Sequence, residues 1–250
     1  MSAATYFRAF ARNDVRLVLR ERMVFLLLIV SLGMGVAARY LLPVLDESLA
    51  ANGVLPSATN PLRFADTYEV FVAFIALWQA GLLPGTAFGF VLIEEKEDDT
   101  LTVLRVSPAP FSTFLWYRVA VPATIAFVLA LVLVPLAGHA PLPFVKLVPL
   151  AASTALVAPL TMLLLGSFAN DRVQGLAFTK FGGVAGLTIL VGWFIPGPWQ
   201  WLLAAFPPFL TCKAFWLARA DDPRWWIAAL VAFVLHAALL TIAVRRLRFD

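Results

Sequence analysis

Few side chains in this 250-residue chain could do chemistry, and the densest group is six charged residues in an unbroken row. Glu94, Glu95, Lys96, Glu97, Asp98 and Asp99 hold five of the fifteen acids, and Thr100, Leu101, Leu104, Arg105 and Ser107-Pro108 follow. Such a row can be a solvated cluster that stops an adjoining apolar helix from sliding into a bilayer, or a surface on which another protein docks. The other reactive groups are scattered. None of the four lysines follows a glycine, so the Gly-Lys-Ser/Thr of a phosphate loop is missing and ATP has no such site here. His236 is the one titratable side chain near the centre of an apolar stretch. With no acidic or second histidine partner it reads as a neutral interhelical hydrogen-bond donor, or as a polar point on a transport path together with the lone amide Gln79. His139 stands in a Pro-rich turn and is expected to be solvated. Ser153 and Ser167 have no base that spacing identifies, and Cys212, the single cysteine, has no partner for a disulfide or a Cys-based metal site. The pattern implies no catalytic set, no metal and no cofactor bound by this chain.

The elements that must position these residues are membrane helices. At 62% hydrophobic and 14% charged residues, with a mean hydropathy of +0.88, the composition excludes a soluble domain, which is about a quarter charged. About 20 apolar residues cross a bilayer, and six such stretches stand at 23–42, 68–93, 119–137, 144–169, 178–195 and 225–244. Basic residues resist translocation. Arg8, Arg12, Arg16, Arg20 and Arg22 at one end and Arg245, Arg246 and Arg248 at the other predict cytoplasmic termini in the plasma membrane. With six spans, residues 94–118 and 170–180 also face the cytoplasm. Of nineteen basic residues, only Arg39, Arg63, Lys146, Lys213, Arg219 and Arg224 then fall outside. Topology and inner-leaflet lipid thus account for the basic balance without nucleic acid.

Around the spans lie three special segments. Residues 4–22 carry four arginines at a spacing of four and read as an amphipathic helix on the membrane surface. The loop 43–67, with Asn52-Gly53, Pro56 and Pro61, is expected to be short and irregular. Residues 196–216 hold Pro196, Pro198, Pro207 and Pro208 among tryptophans. Too short on either side of Pro207-Pro208 to cross, they read as an outer re-entrant hairpin with Trp199, Trp201 and Trp216 at headgroup level. In span two, Gly81, Gly85 and Gly89 share one face, which predicts close helix packing, within the chain or against a second copy. After the acids, Asp98, Asp99 and Thr100 can cap a short helix whose Leu101 and Leu104 share a face, with Arg105 in its last turn.

Residues 94–110, in that position, resemble the cytoplasmic segment after the second span in membrane subunits of ABC-2 type exporters. That segment runs from a charged cluster through Gly-Thr-Leu/Met and a leucine to Ser/Thr-Pro. Here Asp99 stands where the family has glycine, and Asp tolerates the left-handed region better than most residues. The resemblance implies one all-α domain over 1–250, with six spans, the interfacial helix and the outer hairpin. It implies that Glu94, Glu95, Glu97, Asp98, Asp99, Thr100, Leu101, Leu104 and Arg105 form a coupling segment for a separate ATPase subunit, which would bind the ATP and Mg. It also implies a second or homologous permease copy, and outward movement of a drug-like or lipid-like substrate. Within that family the N-terminal and loop wording looks most like fluoroquinolone-type drug export permeases. The competing class, an ATP-independent carrier or channel, needs polar or charged residues at mid-depth, and the spans carry no central Asp, Glu, Lys or Arg.

Overall fold

The computed structural model describes residues 22–52, 64–98, 111–195 and 197–249. The expected surface helix at 4–22 lies outside these residues except for Arg22, which begins the first membrane helix, and the capped helix beyond Asp98 lies outside them too. The described residues are all-helical. Eight α-helices occur: α1 (Arg22–Ala51), α2 (Tyr68–Ala73), α3 (Ala80–Glu97), α4 (Phe111–Ala137), α5 (Phe144–Phe168), α6 (Arg172–Phe194), α7 (Pro207–Arg219) and α8 (Trp225–Phe249). A 3-10 turn at Phe64–Thr67 leads into α2, and a π-helical segment at Phe74–Gln79 joins α2 to α3, making one continuous second span. Among the described residues, six helices are long and apolar enough to cross a membrane. Helices suit that setting because every interior N–H finds a carbonyl four residues back, which hydrocarbon cannot supply.

Span two is the hub. Its apolar window is 72% buried, against 22% for spans one and five, which lie at the periphery. Two apolar clusters stack along the bundle. One, in the half that carries Glu69, is built on Leu77, Leu133, Leu150 and Phe215. The other, in the half that carries Glu94, is built on Phe88, Leu92, Leu115 and Met162.

The ends of the elements depart from the hydropathy reading in ways the local chemistry explains. The first helix does not stop near Leu42 but runs through Pro43 to Ala51, so 43–51 is helix, not irregular loop. A proline ring has no N–H for the carbonyl four residues back, here Arg39, and His139 Nε2 takes that oxygen at 2.9 Å. His139 is therefore not merely solvated. It also packs edge-on against Tyr68, with ring centroids 4.8 Å apart. Span five starts at Arg172, six residues before its apolar stretch, because Asp171 caps it. The Asp171 carboxylate accepts from the N–H of Gln174 at 2.8 Å, and Gln174 Oε1 accepts from the N–H of Asn170 at 3.0 Å.

Between spans five and six, a 3-10 turn at Gly197–Ala205 has no buried residue, whereas most of α7 is buried. Trp199 is 65% exposed, but Trp216 is 4% exposed and packs edge-on against Trp193 and Phe209. It is a core residue rather than an interfacial anchor. Phe206, just before α7, meets Trp78 of span two, while Arg219 at its far end pairs with Glu69 at 3.0 Å. Past α7 the chain turns on Asp221, at φ 53°. Lys146 holds Asp221 at 2.5 Å, and Arg224 donates to Asp222, keeping that carboxyl at about 2.

Candidate functional site

The charged row ends span two, and its first four residues belong to α3. They do not form a free solvated cluster. Glu95 turns inward, following the helical period that carries Phe88, Val91 and Leu92 into the core, and pairs with Arg118 of α4. Arg118 is 4% exposed, and its guanidinium also lies over the ring of Phe114, 5.3 Å from the centroid. Glu94 pairs with Arg172 at 2.6 Å, and Glu97 reaches the same guanidinium at 4.0 Å. Lys96 donates to Asn170 Oδ1 at 2.9 Å and to the carbonyl of Ala169, the C-cap of α5, at 3.4 Å. Asp98 closes α3 with its N–H on the carbonyl of Glu94. Four consecutive side chains thus bolt the end of span two to the start of span three and to the turn between spans four and five. Asp99, Thr100, Leu101, Leu104 and Arg105 lie outside the described residues.

Sequence reading located the row but missed its partners Arg118, Asn170 and Arg172. Their basic and amide character was visible. Which acid each meets depends on helices 23 to 78 residues away in the chain.

Gly81, Gly85 and Gly89 all face α5. A Cβ at Gly81 would stand 2.6 Å from Val157 Cβ, at Gly85 2.5 Å from the carbonyl oxygen of Ala158, and at Gly89 2.6 Å from Leu165. Gly166 of α5 answers with Leu92 at 2.5 Å. Spans two and four are therefore in backbone contact along the glycine face.

At mid-bundle, a buried polar cluster joins α5, α7 and α8. Ser153 Oγ lies 2.8 Å from Thr211 Oγ1 and 3.4 Å from His236 Nδ1. The shorter bond of His236 is within its own helix: Nδ1 lies 2.7 Å from the carbonyl of Ala232, so that nitrogen carries the proton. Its Nε2 has no partner, nor do Gln79 Oε1 and Thr154 Oγ1. His236 is fully buried between helices. Cys212 is also buried, with Sγ 3.7 Å from the carbonyl of Ala73. Among the described residues, no group of three or more His, Cys, Asp or Glu could hold a metal.

Six spanning helices, a small uncharged polar cluster at their centre and the ion pairs described above at the two ends define a multi-pass helical membrane protein. More particularly, the chain belongs to the family described as Fluoroquinolones export permease protein Rv2686c-like, whose profile matches residues 14–244. It is 30% identical over 243 residues to the fluoroquinolones export permease protein Rv2686c of Mycobacterium tuberculosis H37Rv, covering 96% of this chain and 93% of the relative. The fluoroquinolones export permease protein MT2760 of M. tuberculosis CDC 1551 matches with the same identity and coverage. No solved structure matches. The expected likeness to drug-export permeases is met.

Proposed function

We propose that this chain is the membrane subunit of an ATP-driven exporter of ABC-2 type. It moves an amphipathic substrate outward, of the fluoroquinolone class named for its relatives, and acts as a transport subunit rather than an enzyme. ATP and Mg belong to a separate ATPase, and a second or homologous permease copy completes the transporter. The observation that carries this reading is the bolted row at Glu94–Glu97. A segment fixed at once to Arg118, Asn170 and Arg172 passes any displacement of residues 98–110 into spans two and three and into the turn between four and five. A merely solvated cluster would need none of those partners.

On this reading the Glu94 end is cytoplasmic, with both termini, and residues 4–22 lie on the inner surface as an amphipathic helix. The outer segment 196–216 dips into the membrane as a re-entrant hairpin. In support, α7 spans about 20 Å at 1.5 Å per residue, with Phe206 beside Trp78 at its start and Arg219 beside Glu69 at its end.

The test is Leu104→Asp. If residues 98–106 dock in an ATPase groove, a charge on that apolar face should cost about 2 kcal/mol or more, roughly thirtyfold in affinity. The ATPase should then fail to co-purify and export should fall. A well-expressed Leu104→Asp protein with normal ATPase recovery and normal export would end the coupling assignment.

A further inference from the structure

In the half of the bundle that carries Glu69, part-buried basic side chains meet carboxylates: Lys146 pairs with Asp221 and Arg219 with Glu69. Lys213, in the middle of α7 and half-buried, breaks the pattern, for among the described residues it pairs with no carboxylate. Its ammonium donates to the amide oxygen of Gln200 in the 3-10 turn. Gln200 Nε2 in turn donates to the carbonyl of Trp193, in the last turn of span five, at 3.5 Å.

The charges around it leave a surplus. Those that act on Lys213 are Arg224 and Asp222, and Arg224 takes the Asp222 carboxylate for itself, with Nε 3.0 and 3.2 Å from the two oxygens and Nη2 at 2.6 Å. Two cations thus share one carboxylate that is already engaged. A part-buried ammonium with only a neutral acceptor lacks the counter-charge that such groups normally find in a membrane protein. The setting says where that counter-charge comes from. Lys213 stands six residues, about 9 Å along the helix, in from Arg219 at the end of α7. Trp199, Trp201 and Leu202, around Gln200, are all exposed. A lysine on a long apolar stem beside exposed tryptophans is the surrounding of a lipid headgroup at the membrane–water boundary. A soluble anion would leave those aromatic and aliphatic faces uncovered.

We propose that Lys213 and Gln200 form a binding site for the phosphate of an anionic phospholipid, in the leaflet at the Glu69 end of the bundle. Lys213 donates to a phosphate oxygen and Gln200 holds the ammonium in place, while the apolar groups of the turn lie against the lipid below its headgroup. Phosphate accepts from an ammonium as from a point charge, with no need of the planar fork that arginine brings. A lipid of net negative charge fits better than a zwitterion, because a choline group would add a third cation beside Arg224. Through Gln200 the bound lipid would tie α7 to the end of span five. The assignment does not depend on the export reading, whose carrying observation lies at the Glu94 end.

The experiment uses the full chain, delipidated in detergent and titrated with phosphatidylglycerol or phosphatidylcholine of the same acyl chains, with retained lipid read by native mass spectrometry. The wild type should hold a phosphatidylglycerol about tenfold more tightly than phosphatidylcholine, the difference one charge-assisted hydrogen bond makes. Lys213→Gln should lose that preference and Lys213→Arg should keep most of it. Lys180→Gln, which removes the same charge from an exposed position nearer the other end of span five, should leave it intact. Thermal unfolding gives a second readout: phosphatidylglycerol should raise the midpoint of the wild type and of Lys213→Arg, but not of Lys213→Gln. Should Lys213→Gln fail to fold, Gln200→Ala leaves the ammonium in place but unheld, and should weaken the preference several-fold. The site is overturned by a wild type that does not distinguish the two lipids, or by a preference that survives in Lys213→Gln or, where that variant does not fold, in Gln200→Ala. It is overturned also if glycerol 3-phosphate alone gives the same saturable shift in midpoint, which would mark a site for soluble anions.

Discussion

Adjacent residues of the charged row are in different physical situations. Glu94 and Arg172 face each other with side chains 41% and 59% exposed, whereas Glu95 and Arg118 are 17% and 5% exposed. Exposed pairs are worth about 0–1 kcal/mol, because water screens them and two long side chains must be held still. Removing one partner of a buried pair strands a charge and costs about 3–5 kcal/mol. Glu95→Ala should therefore destabilise the purified protein by several-fold more than Glu94→Ala, read as the shift in thermal unfolding in detergent. Equal shifts would show that Arg118 finds water when Glu95 is gone. The distinction was partly legible: Glu95 continues the spacing of Phe88 and Leu92, so the core-facing arc of span two runs into it. Arg118 could not be paired with it in advance, since four other acids stand within a helical turn.

At the scale of elements, spans two and four are held by shape. Helices in lipid gain little from the hydrophobic effect and associate through close packing, which small residues permit. Gly85 meets backbone, which cannot swing aside. Gly85→Ala should cost about 1–3 kcal/mol, as overpacking does, and lower the yield of folded protein. Gly33→Ala in α1 has nothing within 4 Å of the new methyl and should be neutral or add about 0.5–1 kcal/mol, because alanine favours helix over glycine. Comparing the two by thermal unfolding tests the seam directly, and a Gly85→Ala protein as stable as Gly33→Ala would refute it. The spacing of Gly81, Gly85 and Gly89 announced a packing face but left its partner open between another span and a second copy. The structure puts α5 there.

At the scale of the whole molecule, the charge distribution makes a prediction about sidedness. Ser2→Cys, Val173→Cys and Phe249→Cys, made singly, should react with an impermeant maleimide only from the cytoplasm, and Asn52→Cys only from outside. Reaction of Val173→Cys from outside would invert the bundle, moving the charged row and the proposed ATPase contact to the wrong face together. Cys212 leaves the assay clean, being fully buried.

The sequence by itself determined the number of spans and their approximate limits, because crossing hydrocarbon is a local requirement that each stretch of about 20 apolar residues meets alone. It also placed the charged row at the end of span two and carried the family resemblance. Tertiary structure decided everything that depends on two distant stretches meeting. Arg219 finds Glu69 across 150 residues, Lys146 finds Asp221 across 75, and Lys96 finds Asn170 across 74. His139 takes the Arg39 carbonyl freed by Pro43 across 100. Trp216 shows the same limit from the other side. Its aromatic and amphipathic character suits an interface, yet packing of α7 against Trp193 and span two puts it in the core. Hydropathy is a property of one segment, whereas pairing and burial belong to the arrangement of several, and that arrangement is set by which surfaces fit.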